Sequence, residues 1–187
     1  MPALFRVFPY LASAKVTDPG GAFYVPRQGA GRIDSPGAYS VLYLSNAAEG
    51  AVAEAFGRFP EWTQSILRGN PALPGSVRAI AQFHLDEDAP VCDLDDPSQL
   101  LALGLRPSDV VSRNYDTTRA WARRLHDQRQ WIGVKWWSFY NPARYSFGFW
   151  DIRTLRLEAV RPLRLSDAEV LEAARTIVRR VAPPATS

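Results

Sequence analysis

Cysteine is almost absent from this chain. Cys92 stands alone, which excludes an internal disulfide and any cysteine-rich zinc site, and fits a reducing compartment. Histidine is nearly as scarce. His84 and His126 leave little room for a histidine metal site or a relay of catalytic histidines. Lysine is confined to Lys15 and Lys135, so the basic charge is carried almost wholly by arginine, the side chain suited to bidentate contact with phosphate. No apolar run approaches the roughly 18 residues that a membrane span requires. The opening stretch carries Arg6 inside its apolar run and has no basic region before it, so it reads poorly as a secretory leader; the expectation is a cytoplasmic protein. No GxGxxG opens a helix, and P-loop, GxSxG and HExxH motifs are all missing.

What is present is ordinary globular material. The 187 residues are 47% hydrophobic and 22% charged, enough for one domain with its own core. A single domain over residues 1–182 is expected, with 183–187 as a frayed, disordered tail. The net charge of +3 conceals a division. Residues 1–100 carry −4 and residues 101–187 carry +7. A polyanionic ligand is compatible with that second half, as is a solvated arginine-rich surface.

Strands are expected at 4–8, 40–45, 77–85, 133–140, 147–150 and 155–160. The strand at 77–85 reads as central. Helices are expected at 47–57, capped by Asn46 with Glu49 as its capping-box partner, around Trp62–Leu67, at 97–103, and from Thr117 or Thr118 to about Gln128. A last helix should begin at Ser166, with Glu169 in the capping-box position. Its expected buried stripe is Val170, Leu171, Ala174, Ile177, Val178 and Val181. Residues 15–37 read as a long loop and 86–96 as an acidic turn. Strands and helices mix without βαβ alternation, which is an α+β pattern.

Four places bear on chemistry. Arg27 and Arg32 sit among Gly29, Gly31 and Gly37, where a backbone can approach a ligand and guanidiniums can pair with phosphate; a plain surface loop has the same composition. Tyr43 shares a strand face with Val41 and Ser45, opposite Leu42 and Leu44, and so can look into a cleft. Glu54 lies well off the apolar face of an alanine-rich helix, which places it either in solvent or at a cleft rim. The run Trp136–Tyr145 gathers aromatics around Ser138 and Asn141, as a ring-binding wall or as a core strand ending in a turn. Arg119, Arg123, Arg124 and Arg129 on the 117–128 helix and after it read first as a solvated face, with Asp116 and Asp127 near enough to pair, and second as a nucleic-acid groove.

The ordered set Gly31-Arg32-Ile33-Asp34-Ser35-Pro36, Val41-Leu42-Tyr43-Leu44-Ser45, Ala51-Val52-Ala53-Glu54 and Trp136-Trp137-Ser138 resembles the RES-domain family, over about Phe5 to Trp150. The family's arginine falls on Arg32, its strand tyrosine on Tyr43, its helix glutamate on Glu54 and its late serine on Ser138. Many members carry Trp after the arginine; this chain has Ile33. The resemblance implies an ADP-ribosyltransferase-like α+β fold, with mixed, mainly antiparallel sheets flanked by helices. It implies an NAD+-consuming enzyme that cleaves the nicotinamide–ribose bond by hydrolysis or phosphorolysis, as the toxin of a toxin–antitoxin pair. NAD+ would be substrate, with no prosthetic group and no metal.

The implied catalytic residues are Glu54, Arg32, Tyr43 and Ser138. Arg32, Tyr43 and Ser138 would also bind the dinucleotide, and Arg27 is a further phosphate candidate from the loop composition. The implied partner is an Xre-type antitoxin, through which alone nucleic acid would be met; a homodimer is compatible. The alternatives are a mono-ADP-ribosyltransferase acting on a protein, or a non-catalytic binding module using the arginine-rich half.

Overall fold

A computed structural model describes residues 2–26 and 28–183. Arg27 and all of the expected tail except Pro183 lie outside the described residues.

The elements are, in chain order, β1 (Ala3–Tyr10), β2 (Leu42–Ser45), α1 (Ala48–Phe56), β3 (Glu61–Trp62), a 3-10 turn (Gln64–Leu67), β4 (Val77–Leu85), β5 (Val91–Asp93), α2 (Pro97–Leu103), α3 (Pro107–Val110), α4 (Tyr115–Asp127), β6 (Gly133–Trp137), β7 (Tyr145–Phe149), β8 (Leu155–Pro162), α5 (Ala168–Thr176) and β9 (Arg180–Val181). Seven strands form one sheet in the order β5-β6-β7-β2-β1-β4-β8, antiparallel except for the β5–β6 edge pair. β3 and β9 form a separate parallel pair. This is the mixed α+β architecture expected: a large, mainly antiparallel sheet flanked by helices. The 77–85 strand is one from the edge, not central, because β8 alone lies beyond it.

Alternation along the strands divides the core. Leu4 and Phe8 of β1, Leu42 and Leu44 of β2, Phe83 of β4 and Phe147 and Phe149 of β7 bury one sheet face under the loop that carries Ala22, Phe23 and Val25. The opposite face takes two groups of helices. α1 and α5 cover Phe5, Val7 and Ile80 with Val52, Phe56, Val170 and Ala174. α2, α3 and α4 cover β5 and β6 with Leu100, Val110, Trp121 and Leu125. Between these two groups the sheet is left uncovered by helix, and a cavity opens there.

Several local expectations differ. Asn46 does not cap α1. The N-cap is Ala47, with no side-chain cap bond; Asn46 Oδ1 instead accepts the Tyr145 backbone N–H at 2.8 Å, and Glu49 pairs with Arg144 at 2.8 Å. Tertiary bonds across to β7 displace the local capping box. Ser166 likewise yields the N-cap of α5 to Asp167, whose carboxylate accepts from the Arg164 N–H and pairs with Arg161. Asn114 caps α4 three or four residues before the threonines expected there, accepting from the Asp116 N–H at 3.1 Å. The expected α5 stripe runs too far. The helix ends at Thr176, Leu171 and Val178 are exposed, and Ala173 replaces them in the core. Part of the 86–96 turn is the edge strand β5, and a 3-10 turn replaces the expected helix after Trp62.

Candidate functional site

The floor of the cavity follows from strand register. Phe5 faces Ser45, Ser45 faces Ser146, and Ser146 faces Trp136, a row that crosses four strands. Residues directly opposite each other share a sheet face. The next row places Tyr43 against Gly148. β1 and β2 are joined by the single pair Phe5–Ser45, so the sheet is loosely closed at this point. The cavity has a volume of about 420 Å³, within the range of small-molecule sites. Arg32, Tyr43, Glu54, Tyr115 and Phe139 are among the residues that line it.

Glu54 reaches the cavity because α1 sits very close to β2. A Cβ built on Gly50 would lie 2.4 Å from Ser45 Oγ, so only glycine permits that approach. Glu54 is one turn farther along the same side of the helix. Solvent reaches its carboxylate through the cavity mouth, but the enclosing protein desolvates it and pushes its pKa above the ordinary carboxylate value. Hydrogen bonds from Ser138 and Ser146 and the charge of Arg32 pull the other way without cancelling the rise. An unshifted Glu54, as the residue type alone suggests, is therefore corrected.

Ser138 is 2% exposed and sits behind Glu54, not on the cavity wall. Its Oγ–H donates to Glu54 Oε1 at 3.1 Å, and its oxygen accepts the Tyr140 N–H at 3.2 Å. Its one hydroxyl proton is thus committed to the carboxylate. In this arrangement Ser138 orients Glu54, and direct contact with a ligand would require it to let go.

Arg32 is a pinned arginine, not a loose loop side chain. Its guanidinium donates to the carbonyls of Ser112 (2.6 Å) and Val110 (3.3 Å), and its own carbonyl accepts from the Thr118 hydroxyl. Tyr115 lies between two cations, its ring centroid 5.6 Å from each of the Arg32 and Arg119 guanidinium carbons. Arg119 in turn donates to the carbonyls of Gly29 (2.7 Å) and Gly31 (3.1 Å). Arg123 pairs with Asp127. Two of the arginines suggested for a nucleic-acid groove are therefore committed within the chain.

Tyr43 points at the cavity side of the sheet, as alternation requires, and meets Trp136 edge-on at 6.5 Å. Its hydroxyl donates to Asp34 Oδ1 at 2.6 Å and accepts the Ile33 N–H at 3.2 Å. Burial and the Asp34 carboxylate hold it far above the ordinary phenol range, so it stays protonated.

The structure therefore brings Arg32, Tyr43 and Glu54 to one cavity, with Ser138 directly behind. Arg27 lies outside the described residues. Arg6 alternates with Phe5 and Val7 and so points to the Leu4–Phe8 face of the sheet, away from the cavity floor. Its guanidinium donates to the Ala22 carbonyl at 2.7 Å and lies 5.6 Å from the Phe8 ring centroid. Burial lowers its pKa to about 10, and no carboxylate among the described residues offsets that shift. Sequence reasoning missed Asp34, which is 4% exposed. Among the described residues no group of three or more His, Cys, Asp or Glu side chains is placed to hold a metal.

The RES domain family model matches residues 4–172. The chain belongs to the RES-domain family. No curated protein matches it. Its fold is similar to that of a chain in the crystal structure of the M. tuberculosis MbcT–MbcA toxin–antitoxin complex, with a TM-score of 0.61 and 16% identity over 94% of this chain and 88% of that one. At that identity the likeness speaks for the fold.

Ile33, the residue after the arginine, is completely buried. The reason is local. A Cβ on Gly148 would stand 2.4 Å from Ile33 Cδ1 and 3.1 Å from Val41 Cγ1, so Ile33 rests on a bare patch of β7. Gly148→Ala should overfill this contact and cost about 1–3 kcal/mol, read as a lowered denaturant midpoint. An unchanged midpoint would show that Ile33 can move aside freely.

Proposed function

We propose that this RES domain consumes NAD+ by breaking the bond between nicotinamide and ribose. The observation that carries the reading is the meeting of Arg32, Tyr43 and Glu54 around one cavity large enough for the nicotinamide–ribose end of a dinucleotide. Nicotinamide in NAD+ is already cationic, so its departure needs no general acid, and the scarcity of histidine is no obstacle. As the C1′–N bond breaks, its electron pair goes to the pyridine ring and neutral nicotinamide leaves. The sugar becomes oxocarbenium-like, the same kind of charge that glycosidases stabilise with carboxylates.

Ionised Glu54 supplies that stabilisation in a partly desolvated site, where it acts more strongly than in water. Ser138 keeps the carboxylate aimed. Arg32 is the cation available to the diphosphate, and Tyr43 with Trp136 walls the nicotinamide. Water adding at C1′ gives ADP-ribose and releases a proton; phosphate adding there gives the corresponding sugar phosphate. The family, and the likeness to a chain from a toxin–antitoxin complex, support a role as the toxin of such a pair. Its partner would be an Xre-type antitoxin.

The test is release of free nicotinamide from NAD+ by the purified protein, with the fate of labelled ADP-ribose separating water, phosphate and protein acceptors. Absence of nicotinamide under all three conditions ends the reading. The pH profile adds a signature. Activity requires the carboxylate form, and the Glu54 pKa is raised, so the rate should fall on the acid side at a pH above the ~4.3 of a free glutamate. An acid limb at or below that value would mean that Glu54 is not the titrating group.

A further inference from the structure

Asp34 is a buried carboxylate with no role in the chemistry just described, and its partners make a pattern. Oδ2 accepts the backbone N–H groups of Gly29 (2.9 Å) and Gly31 (2.7 Å), and Oδ1 accepts the Tyr43 hydroxyl (2.6 Å). Arg119 holds the carbonyls of the same two glycines from the other side. Tyr39 donates to the Ile33 carbonyl at 3.0 Å, and Thr118 to that of Arg32. The peptide groups flanking Arg32 are thus tied, N–H groups inward to Asp34 and carbonyls outward to α4 and Tyr39. The loop that carries the cavity's arginine and the strand that carries its tyrosine share one carboxylate.

We infer that Asp34 is a positioning residue: its carboxylate sets the conformation of the 29–34 loop and the direction of the Tyr43 hydroxyl, and through them fixes Arg32 and Tyr43 for substrate binding. The substrate part rests on the NAD+ reading above; the loop and hydroxyl parts do not. Only a carboxylate satisfies this site. It accepts at both oxygens, whereas asparagine offers one accepting oxygen and an amide that donates. In Asp34→Asn, an oxygen kept on the glycine N–H groups turns the amide toward Tyr43. The tyrosine then faces two donors, the Ile33 N–H and the amide, and its own proton loses its acceptor.

The experiment uses full-length protein labelled at tyrosine 13Cζ, with the Tyr43 resonance assigned by its loss in Tyr43→Phe. Asp34→Asn should move that resonance and speed tryptic cleavage after Arg32 in the folded state, as a loosened loop exposes its peptide bond. On a Glu54→Gln background, which slows turnover, NAD+ should bind Asp34→Asn about ten-fold or more weakly, the loss expected for a charge-assisted hydrogen bond. With Glu54 present, the loss should appear in KM and leave kcat nearly unchanged. Tyr43→Phe cuts the same link while sparing the glycine bonds, so its effect on binding should shrink sharply once Asp34 is already Asn.

Unchanged NAD+ affinity in Asp34→Asn, or additive effects of the two substitutions, overturns the inference. A parent protein that binds no NAD+ overturns the functional reading instead. In that case the resonance and the cleavage rate decide the positioning claim: movement in both upholds it, and failure of either to move refutes it.

Discussion

Glu54→Gln should lower nicotinamide release by about 10²–10³-fold while leaving the protein at least as stable as the parent at neutral pH. The rate loss is what removal of one preorganised electrostatic group costs, about 2.7–4 kcal/mol of barrier. Glutamine keeps the shape and can still accept the Ser138 hydroxyl proton, so the cavity should survive. The stability part follows from the raised pKa. A group whose folded-state pKa lies above its unfolded value contributes most below the unfolded pKa, and that contribution is lost as pH rises through the folded one. Above the folded value, the fold carries an ionised carboxylate that its surroundings disfavour. Glutamine removes that cost at neutral pH and forfeits the advantage in acid. Thermal melts of both proteins at two pH values, with a nicotinamide assay alongside, test the pair of claims. A variant that cleaves NAD+ at the parent rate excludes Glu54 from catalysis; a variant that melts well below the parent at neutral pH means that the desolvation argument has the wrong sign.

How much of this was legible beforehand differs by kind of interaction. Tyr43 could be aimed at a cleft because strand alternation is a local rule, and β2 obeys it. Glu54 could be placed only in solvent or at a rim, because periodicity fixes an angle around α1 but not what lies opposite. Gly50, the residue that lets α1 approach β2, was in plain view but has no meaning without Ser45 across from it. The local capping boxes at Asn46 and Ser166 were well formed by spacing and lost to partners far away in sequence or on another element, Tyr145 for Asn46 and Arg161 for the residue that replaced Ser166. The stripe of α5 overran for a similar reason: Ile177 leaves helical geometry and Val178 takes a φ of 54°, which no apolar spacing reports. Asp34 was missed because it matters through burial. A charged residue in a loop looks solvated until the fold closes over it.

Trp121→Ala should cost about 3–5 kcal/mol, the usual loss on truncating a fully buried tryptophan, and lower the melting temperature by about 6–20 °C for a chain of this size. Trp121 is 2% exposed within the hydrophobic cluster that α2, α3 and α4 build against β5 and β6. Its indole N–H donates to the Asp109 carbonyl at 3.2 Å, and the next residue, Val110, supplies one of the carbonyls that hold the Arg32 guanidinium. The tryptophan therefore supports the core and, one residue removed, the tether of the cavity's arginine. Phe83→Ala separates the two effects. Phe83 is fully buried on the opposite face of the sheet and should cost a comparable amount of stability without touching the Arg32 tether. Compared at temperatures where both variants are folded, Trp121→Ala should raise the KM for NAD+ severalfold and Phe83→Ala should not. Equal KM values would mean that the α3 carbonyls hold Arg32 without help from the core beneath them, and that the cavity's geometry is set by the 29–34 loop alone.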